Sequence, residues 1–269
     1  MVKKFAFFGH HKAGTRWIGK IIRQMSQYLG LKYFTANSPK EFGFDLEEYI
    51  GHHQIEFLNY LNADIAYVKQ IRNDFRGFHV VRDPRDIVVS AYFSHLYSHP
   101  IEGWPELVEH RKKLLTLSKD EGILLEIQFT SRLRTNGCDL NLFSSMENWI
   151  YGLPRVMEIK FENLITNPSN GFIEIFNFLG FLEKDNGSYP EIKIDHKQAY
   201  ARLLEILHNN NFSNLADGRI QGQQDIKSHY RKGIIGDWKN HFTQEHTKKF
   251  KSNYNDLLLK LGYESDDQW

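Results

Sequence analysis

One cysteine, Cys138, is all the thiol that the 269-residue chain carries. No intramolecular disulfide can form, and metal centres built from several thiolates are excluded. A reducing compartment suits such a chain. Prolines number only 7, and no Pro/Gly-rich linker, internal repeat or low-complexity tract marks a boundary. Excess charge is nearly absent, since 34 Lys+Arg against 33 Asp+Glu leave a formal net charge of +1. No overall field draws the protein toward nucleic acid or an anionic membrane, so any anion site has to be a local cluster. Long apolar runs are missing too. The stretch from Met1 to Gly9 is too short for a signal peptide or anchor. No later segment reaches the roughly 18 uninterrupted apolar residues of a membrane span. These absences predict a cytoplasmic protein with neither nucleic acid nor membrane as a partner.

What is present suits one folded core. Hydrophobic residues make up 41% and charged residues 25%, ordinary values for a globular chain. Aromatics at 14% can line a pocket or fill the core. The length fits one α/β domain, expected over residues 1–269. Lys4 to Phe8 is a short apolar run ending at Gly9, as a buried first strand would be. A glycine-containing turn follows, and Trp17 to Met25 then shows helical spacing. Strand, loop, helix is the opening unit of a doubly wound sheet. Gly77 to Val81 and Val156 to Phe161 read as further strands, followed by helices over Ile87–Leu96 and Phe172–Leu179. Trp104–Leu125 and Gln198–His208 read as largely helical, Asn209–Asp225 as a mobile loop, and Phe250–Leu261 as a closing helix. The predicted class is α/β, a central parallel sheet flanked by helices with a P-loop-like anion-binding loop.

Three segments carry chemistry. The first is Gly9-His10-His11-Lys12-Ala13-Gly14-Thr15-Arg16-Trp17. A loop between strand and helix aims backbone N–H groups and the positive end of the helix dipole at one spot. Lys12 adds a point charge, and Thr15 and Arg16 add donors. Gly9 and Gly14 have the spacing of the phosphate loop of nucleoside-triphosphate enzymes, G-x-x-x-x-G-K-[ST]. Thr15 stands at that loop's lysine position, so its lysine and its magnesium-binding hydroxyl are both displaced. The second segment is Arg82-Asp83-Pro84-Arg85-Asp86-Ile87-Val88-Val89-Ser90, with Pro84 placed to begin a helix and Asp83 to cap it. Arg82 and Ser90, two helical turns apart, can reach one anion. The third is Arg231-Lys232-Gly233-Ile234-Ile235-Gly236-Asp237-Trp238-Lys239-Asn240-His241-Phe242, where an arginine fork, a lysine and an open glycine amide adjoin.

Together these segments resemble the family of sulfotransferases that use 3′-phosphoadenosine 5′-phosphosulfate (PAPS), especially its cytosolic branch. Members carry P-K-S-G-T-T-W, R-N-P-K-D-V-x-V-S and R-K-G-x-x-G-D-W-K-N-x-F in this order. The resemblance implies transfer of a sulfuryl group to a small-molecule acceptor through its hydroxyl or amine, with PAPS as co-substrate and 3′-phosphoadenosine 5′-phosphate (PAP) as product. It assigns Lys12, Ala13, Gly14, Thr15, Arg16 and Trp17 to the phosphosulfate loop. Arg82, Ser90, Arg231, Lys232 and Gly233 are assigned to the 3′-phosphate, and Phe212 to the adenine, against which Trp17 would also lie. Lys12 would neutralise the leaving oxygen. No metal site is implied.

The departures are specific. His11, Ala13 and Arg16 replace proline, serine and threonine, and Phe161 replaces a common tyrosine. Of the family's dimer motif, K-x-x-x-T-V-x-x-x-E, there remain Lys239 and Thr243, followed by Gln244 and Lys248. This leaves the oligomeric state open. The K-T-H segment that supplies relatives with a catalytic base is missing. His53 is expected as the base, with His52, His11, the neighbouring His10 and Glu41 as rivals. Tyr92, Phe93, His95, Tyr97 and His99 are candidates for the acceptor pocket. Two other readings stay open: a nucleotide-dependent kinase with a degraded phosphate loop, and a non-catalytic nucleotide-binding protein.

Overall fold

The first strand, Lys4–Phe8 (β1), is buried along its whole length, as a strand covered on both faces must be. Thr15–Tyr28 (α1) follows, with Ile18, Ile21, Ile22 and Met25 as its buried stripe. The computed structural model describes residues 4–71, 75–135, 137–182 and 195–269. It divides into two compact units, Met1–Val81 with Ile150–Leu215 and Arg82–Trp149 with Ala216–Trp269.

In the first unit β1 and α1 lead to Tyr33–Ala36 (β2), Leu46–His53 (α2), Phe57–Tyr60 (β3), Ile65–Val68 (α3) and Phe75–Val81 (β4). The chain then supplies Pro84–Phe93 (α4), Pro105–Leu114 (α5), Lys119–Ser131 (α6), the short pair Arg134–Thr135 (β5) and Cys138–Asp139 (β6), and Leu142–Asn148 (α7) to the second. It returns to the first unit with Val156–Lys160 (β7), Phe161–Thr166 (α8), Pro168–Phe178 (α9), His196–Asn209 (α10) and Phe212–Leu215 (α11). Gln244–Lys260 (α12) closes the second unit. No helix among the described residues is long and apolar enough to cross a membrane.

The sheet of the first unit has five strands in the order β2-β3-β1-β4-β7, all parallel. The crossover from β1 runs to β2 on one side and that from β3 passes to β4 on the other side of β1, so the strand order switches there and opens a crevice at the carboxyl ends. On one face the stripe of α1 packs with Phe7 and Phe78, whose rings stack 4.8 Å apart, and with Phe172, Ile175 and Phe176 of α9. Each such side chain, fully buried, contributes about 1.5–3 kcal/mol. Gly77 sits across from Ala6, where a Cβ would come within 2.9 Å of the Ala6 carbonyl oxygen. That position has room for glycine alone.

The strands and helices expected from periodicity are present, with differences at their ends and joints. Phe161 begins α8 instead of closing β7. Trp104–Leu125 is two helices, because Ser118 and Glu121 form a capping box that starts α6. The expected loop after Asn209 contains the single turn α11. β2 and β3 are the strands of the five-stranded sheet that periodicity did not reveal. Each has only four residues, and buried Asn59 interrupts the apolar pattern of β3. Its amide donates to Tyr33 Oη at 2.7 Å and to Thr35 Oγ1 at 3.2 Å, which is why the position tolerates a polar side chain.

In the second unit α6 packs on α4, and α12 packs on α6 and α7. Thr243, a remnant of the dimer motif, serves here as the cap of α12, in a capping box with His246.

Candidate active site

The loop after β1 is tied down before it reaches α1. Gly9 N–H donates to the Tyr60 carbonyl at 2.9 Å, and the Gly9 carbonyl accepts from Ala63 N–H at 2.9 Å. The His10 carbonyl then accepts from Ala13 N–H at 3.0 Å, closing a turn. Lys12 occupies the penultimate place of that turn with φ 62°, a conformation glycine favours. A non-glycine residue there costs about 1–3 kcal/mol, a strain that functional sites retain. At Gly14, φ is 77° and a Cβ would lie 2.3 Å from the Phe161 ring, so the loop closes onto Phe161 only with glycine. No side chain caps α1, and its first turn holds no acidic residue. Its leading N–H groups and positive dipole end therefore meet no competing carboxylate of their own helix.

Trp17 extends this corner. Its Nε1 donates to the Asn210 carbonyl at 2.9 Å, and its ring stands edge-on to Phe172 at 5.3 Å. Phe212 opens α11 two residues beyond Asn210, so the two predicted adenine contacts, Trp17 and Phe212, belong to adjoining segments.

Beside the loop runs a buried polar chain that linear reading could not assemble. His79 lies opposite Glu158 in the β4–β7 register, and His79 Nδ1 is 2.6 Å from Glu158 Oε2. His10 Nε2 is 2.8 Å from His79 Nε2. The carboxylate accepts from His79 Nδ1–H, so neutral His79 has only a lone pair at Nε2, and His10 Nε2–H donates to it. Burial holds both rings neutral. It lowers His79 to about 3, and it pushes His10 well below the usual histidine range, with His79 adding to the effect. Tyr151 packs over His79 at 5.9 Å, and burial, with Glu158 adding to it, pushes its phenol up.

The second unit gathers the other two segments. Asp83 caps α4 through Arg85 N–H, and its carboxylate accepts from Arg85 Nε at 3.0 Å and Nη2 at 2.8 Å. Arg85, whose guanidinium centre also lies 4.0 Å from the Trp238 ring and 4.5 Å from the Trp269 ring, is thereby a structural residue. Asp86 and Ser90, at i and i+4 of α4, share one stripe, and Arg82 stands ahead of the cap. Arg82 Nη2 lies 3.7 Å from Asp86 Oδ2. The buried Asp86 carboxylate accepts from Gly236 N–H at 2.7 Å and Trp238 N–H at 2.9 Å. This docks the basic turn onto that stripe.

Within the turn, Asp237 accepts from Arg231 Nη2 at 2.5 Å and Lys232 Nζ at 2.7 Å, and Arg231 stands over the Phe93 ring at 4.4 Å. Burial raises the Asp237 carboxyl, but its donors outweigh that and hold it far below the usual carboxylate range. Gly233 has φ 68°. Two cations facing one carboxylate leave the turn positive, with Arg82 near by, just ahead of α4.

The residues expected around the acceptor divide. Tyr92 and Phe93 are buried, and Tyr97 is 43% exposed. His95 is also buried, in a five-residue π-helical turn, Ser94–Ser98, after α4. Its Nδ1 lies 2.9 Å from Glu126 Oε1, while His110 Nε2 lies 2.8 Å from Glu126 Oε2. Burial raises the Glu126 carboxyl, and the two histidines more than reverse this, to about 2. The three residues hold ligand-type atoms within 4.8 Å of one another. Their separations from the carboxylate are those of hydrogen bonds.

A family model described as "Sulfotransferase domain" matches residues 4–262. The chain belongs to the sulfotransferase family. Mouse (Mus musculus) "Sulfotransferase 1 family member D1" is 26% identical over 189 residues, which are 68% of this chain and 55% of that protein. The chain thus spans about half the length of the curated sulfotransferases it matches. The mouse sulfotransferase SULT7A1, solved with PAP, superposes with a TM-score of 0.60 at 17% identity, covering 96% of this chain and 85% of that one. Retinol dehydratase, solved with androsterone and PAP, gives 0.54 at 14% identity, covering 96% and 80%. At these identities the likeness is one of fold.

In this sulfotransferase fold His53, the expected base, stands apart from the Lys12 loop. It is exposed at the end of α2, its Nδ1 bonded to the Tyr49 carbonyl and its ring stacked on Tyr49. It precedes β3, so it lies at the amino edge of the sheet, whereas the Lys12 loop leaves the carboxyl edge. A strand of this length separates the two edges by roughly 13–17 Å. His52 shares that edge. Glu41, in a short 3₁₀ turn after β2, lies on the carboxyl edge, where it accepts from Asn37 N–H at 3.1 Å. His11 adjoins Lys12 in the loop itself.

Proposed function

We propose that the protein transfers the sulfuryl group of PAPS to a hydroxyl or amine of a small-molecule acceptor, releasing PAP. The supporting observation is the presence in one sulfotransferase chain of two separately built cationic turns, the strained Lys12 loop and the Arg231–Lys232 turn docked on Asp86. The Lys12 loop, with Thr15 and Arg16, takes the 5′-phosphosulfate. Arg82, Ser90, Arg231, Lys232 and Gly233 take the 3′-phosphate, whose negative charge balances the excess of cations over Asp237. Trp17 and Phe212 take the adenine. Both units, on this reading, form one sulfotransferase domain.

The acceptor oxygen or nitrogen attacks sulfur in line with the bridging oxygen, and the S–O bond breaks as negative charge builds on the 5′-phosphate. Lys12 meets that charge where it develops, which is where a cation accelerates most. The acceptor proton leaves to a group on the carboxyl edge of the sheet, such as Glu41 or His11. The retinol dehydratase complex holds androsterone, a small alcohol, and an acceptor of that size fits the proposal. A single cysteine suits a cytoplasmic setting.

The ligand comparison that tests this is PAP against 5′-AMP by thermal shift. A ligand at 100 times its Kd stabilises by about 2.7 kcal/mol. PAP is expected to raise Tm strongly and 5′-AMP weakly, because only PAP engages the second turn. Equal shifts from both nucleotides would remove the 3′-phosphate site.

A further inference from the structure

Glu158, His79 and His10 sit in a line across the carboxyl ends of three neighbouring strands. Glu158 and His79 are direct partners in the β4–β7 register, and His79 pairs with Phe8, two residues before His10, in the β1–β4 register. The line begins at a carboxylate whose side chain is 24% exposed and ends at a fully buried ring. We propose that Glu158, His79 and His10 are positioning residues that brace the phosphate loop for the 5′ end of the donor. This rests on the donor reading above.

The chemistry of the chain makes it a one-way brace. With Nδ1–H committed to Glu158, the neutral His79 ring can only accept at Nε2, and His10 can only donate to it. Neither ring can flip without losing a hydrogen bond in a water-poor interior, where an unmade bond is costly. The brace meets the loop at His10. The carbonyl of that residue closes the turn through Ala13 N–H at 3.0 Å, and the same turn holds Lys12 at φ 62°. A ring fixed to the sheet thus restrains the strained turn next to it in the chain. The histidines hold shape and do not themselves touch the donor.

Calorimetry with two nucleotides that differ only in the 5′-phosphate, PAP and 3′-AMP, isolates the loop's contribution. Wild-type protein is expected to bind PAP about 10–100-fold more tightly than 3′-AMP, the value of a charge-assisted contact. His79→Ala should leave 3′-AMP affinity unchanged and lower the PAP preference about tenfold or more, as misplacement of a binding group does. His79→Gln should restore the preference, because its amide oxygen reaches the place of Nε2 and can accept from His10. His79→Asn ends near Nδ1 and should fail to restore it. The glutamine and asparagine variants keep a polar side chain of similar size, so their contrast stands even if the alanine variant folds poorly.

A His79→Asn protein with the wild-type preference would overturn the brace. So would equal weakening of both nucleotides in the His79 variants, the mark of general destabilisation. No PAP preference in the wild-type protein would remove the donor reading and the brace with it.

Discussion

Lys12 holds a backbone shape that glycine would take at lower cost, and it does so at the mouth of a helix with no carboxylate in its first turn. Its place in the chain was legible, because a strand-loop-helix with two glycines five residues apart can be read directly. The chain from His10 through His79 to Glu158 was not, since its members lie 69 and 79 residues apart and meet only through strand register. The place of His53 in the fold was hidden for a related reason. His53 is near the motifs in sequence but precedes β3, and a parallel strand carries residues before and after it to opposite edges. His53→Ala is therefore expected to retain wild-type kcat, while Glu41→Gln or His11→Ala should lower kcat if either residue accepts the proton. Steady-state rates of the three variants on one acceptor check this, and a collapse in His53→Ala would restore the sequence expectation.

At the scale of elements, α4 and the basic turn act together because one buried carboxylate, Asp86, accepts two backbone N–H groups of the turn. Both segments were readable as motifs, but their union depends on an aspartate that linear reading left without a role. Strand β2 escaped because it has only four residues, and β3 because buried Asn59, whose amide donates to Tyr33 and Thr35, breaks the apolar pattern that marks a core strand. Arg231→Ala is expected to weaken PAP binding by about 1.5–3 kcal/mol, one to two decades in Kd. The turn itself should hold, because Lys232 and Asn240 still donate to Asp237. Titration calorimetry measures the loss, and an unchanged Kd would detach Arg231 from the ligand.

The whole molecule should lose stability in acid in two steps. His79 is held at about 3 in the folded state, against about 6.5 for a free histidine. Between these values the unfolded chain binds the extra proton, so stability is full above about pH 6.5 and is lost progressively on descent toward pH 3. Glu126 is held at about 2 against a reference value of 4.5, so its contribution is present above about pH 4.5 and is lost on descent toward pH 2. Denaturant titrations from pH 8 to pH 4 are expected to show a falling midpoint that begins near pH 6.5. The fall should be reduced in His79→Gln, and a flat profile would mean that His79 is not held neutral.

The central claim, that this chain moves a sulfuryl group and that Lys12 meets the charge on the leaving phosphate, is tested by incubation with sulfur-labelled PAPS and a panel of phenols, alcohols and amines. Wild-type protein is expected to label at least one acceptor while releasing PAP in equal amount. In Lys12→Ala, kcat should fall by roughly 10²–10³ while PAP affinity changes far less, as for loss of a contact made in the transition state. Labelling of no acceptor by the wild-type protein, or equal rates from both proteins, would contradict the account.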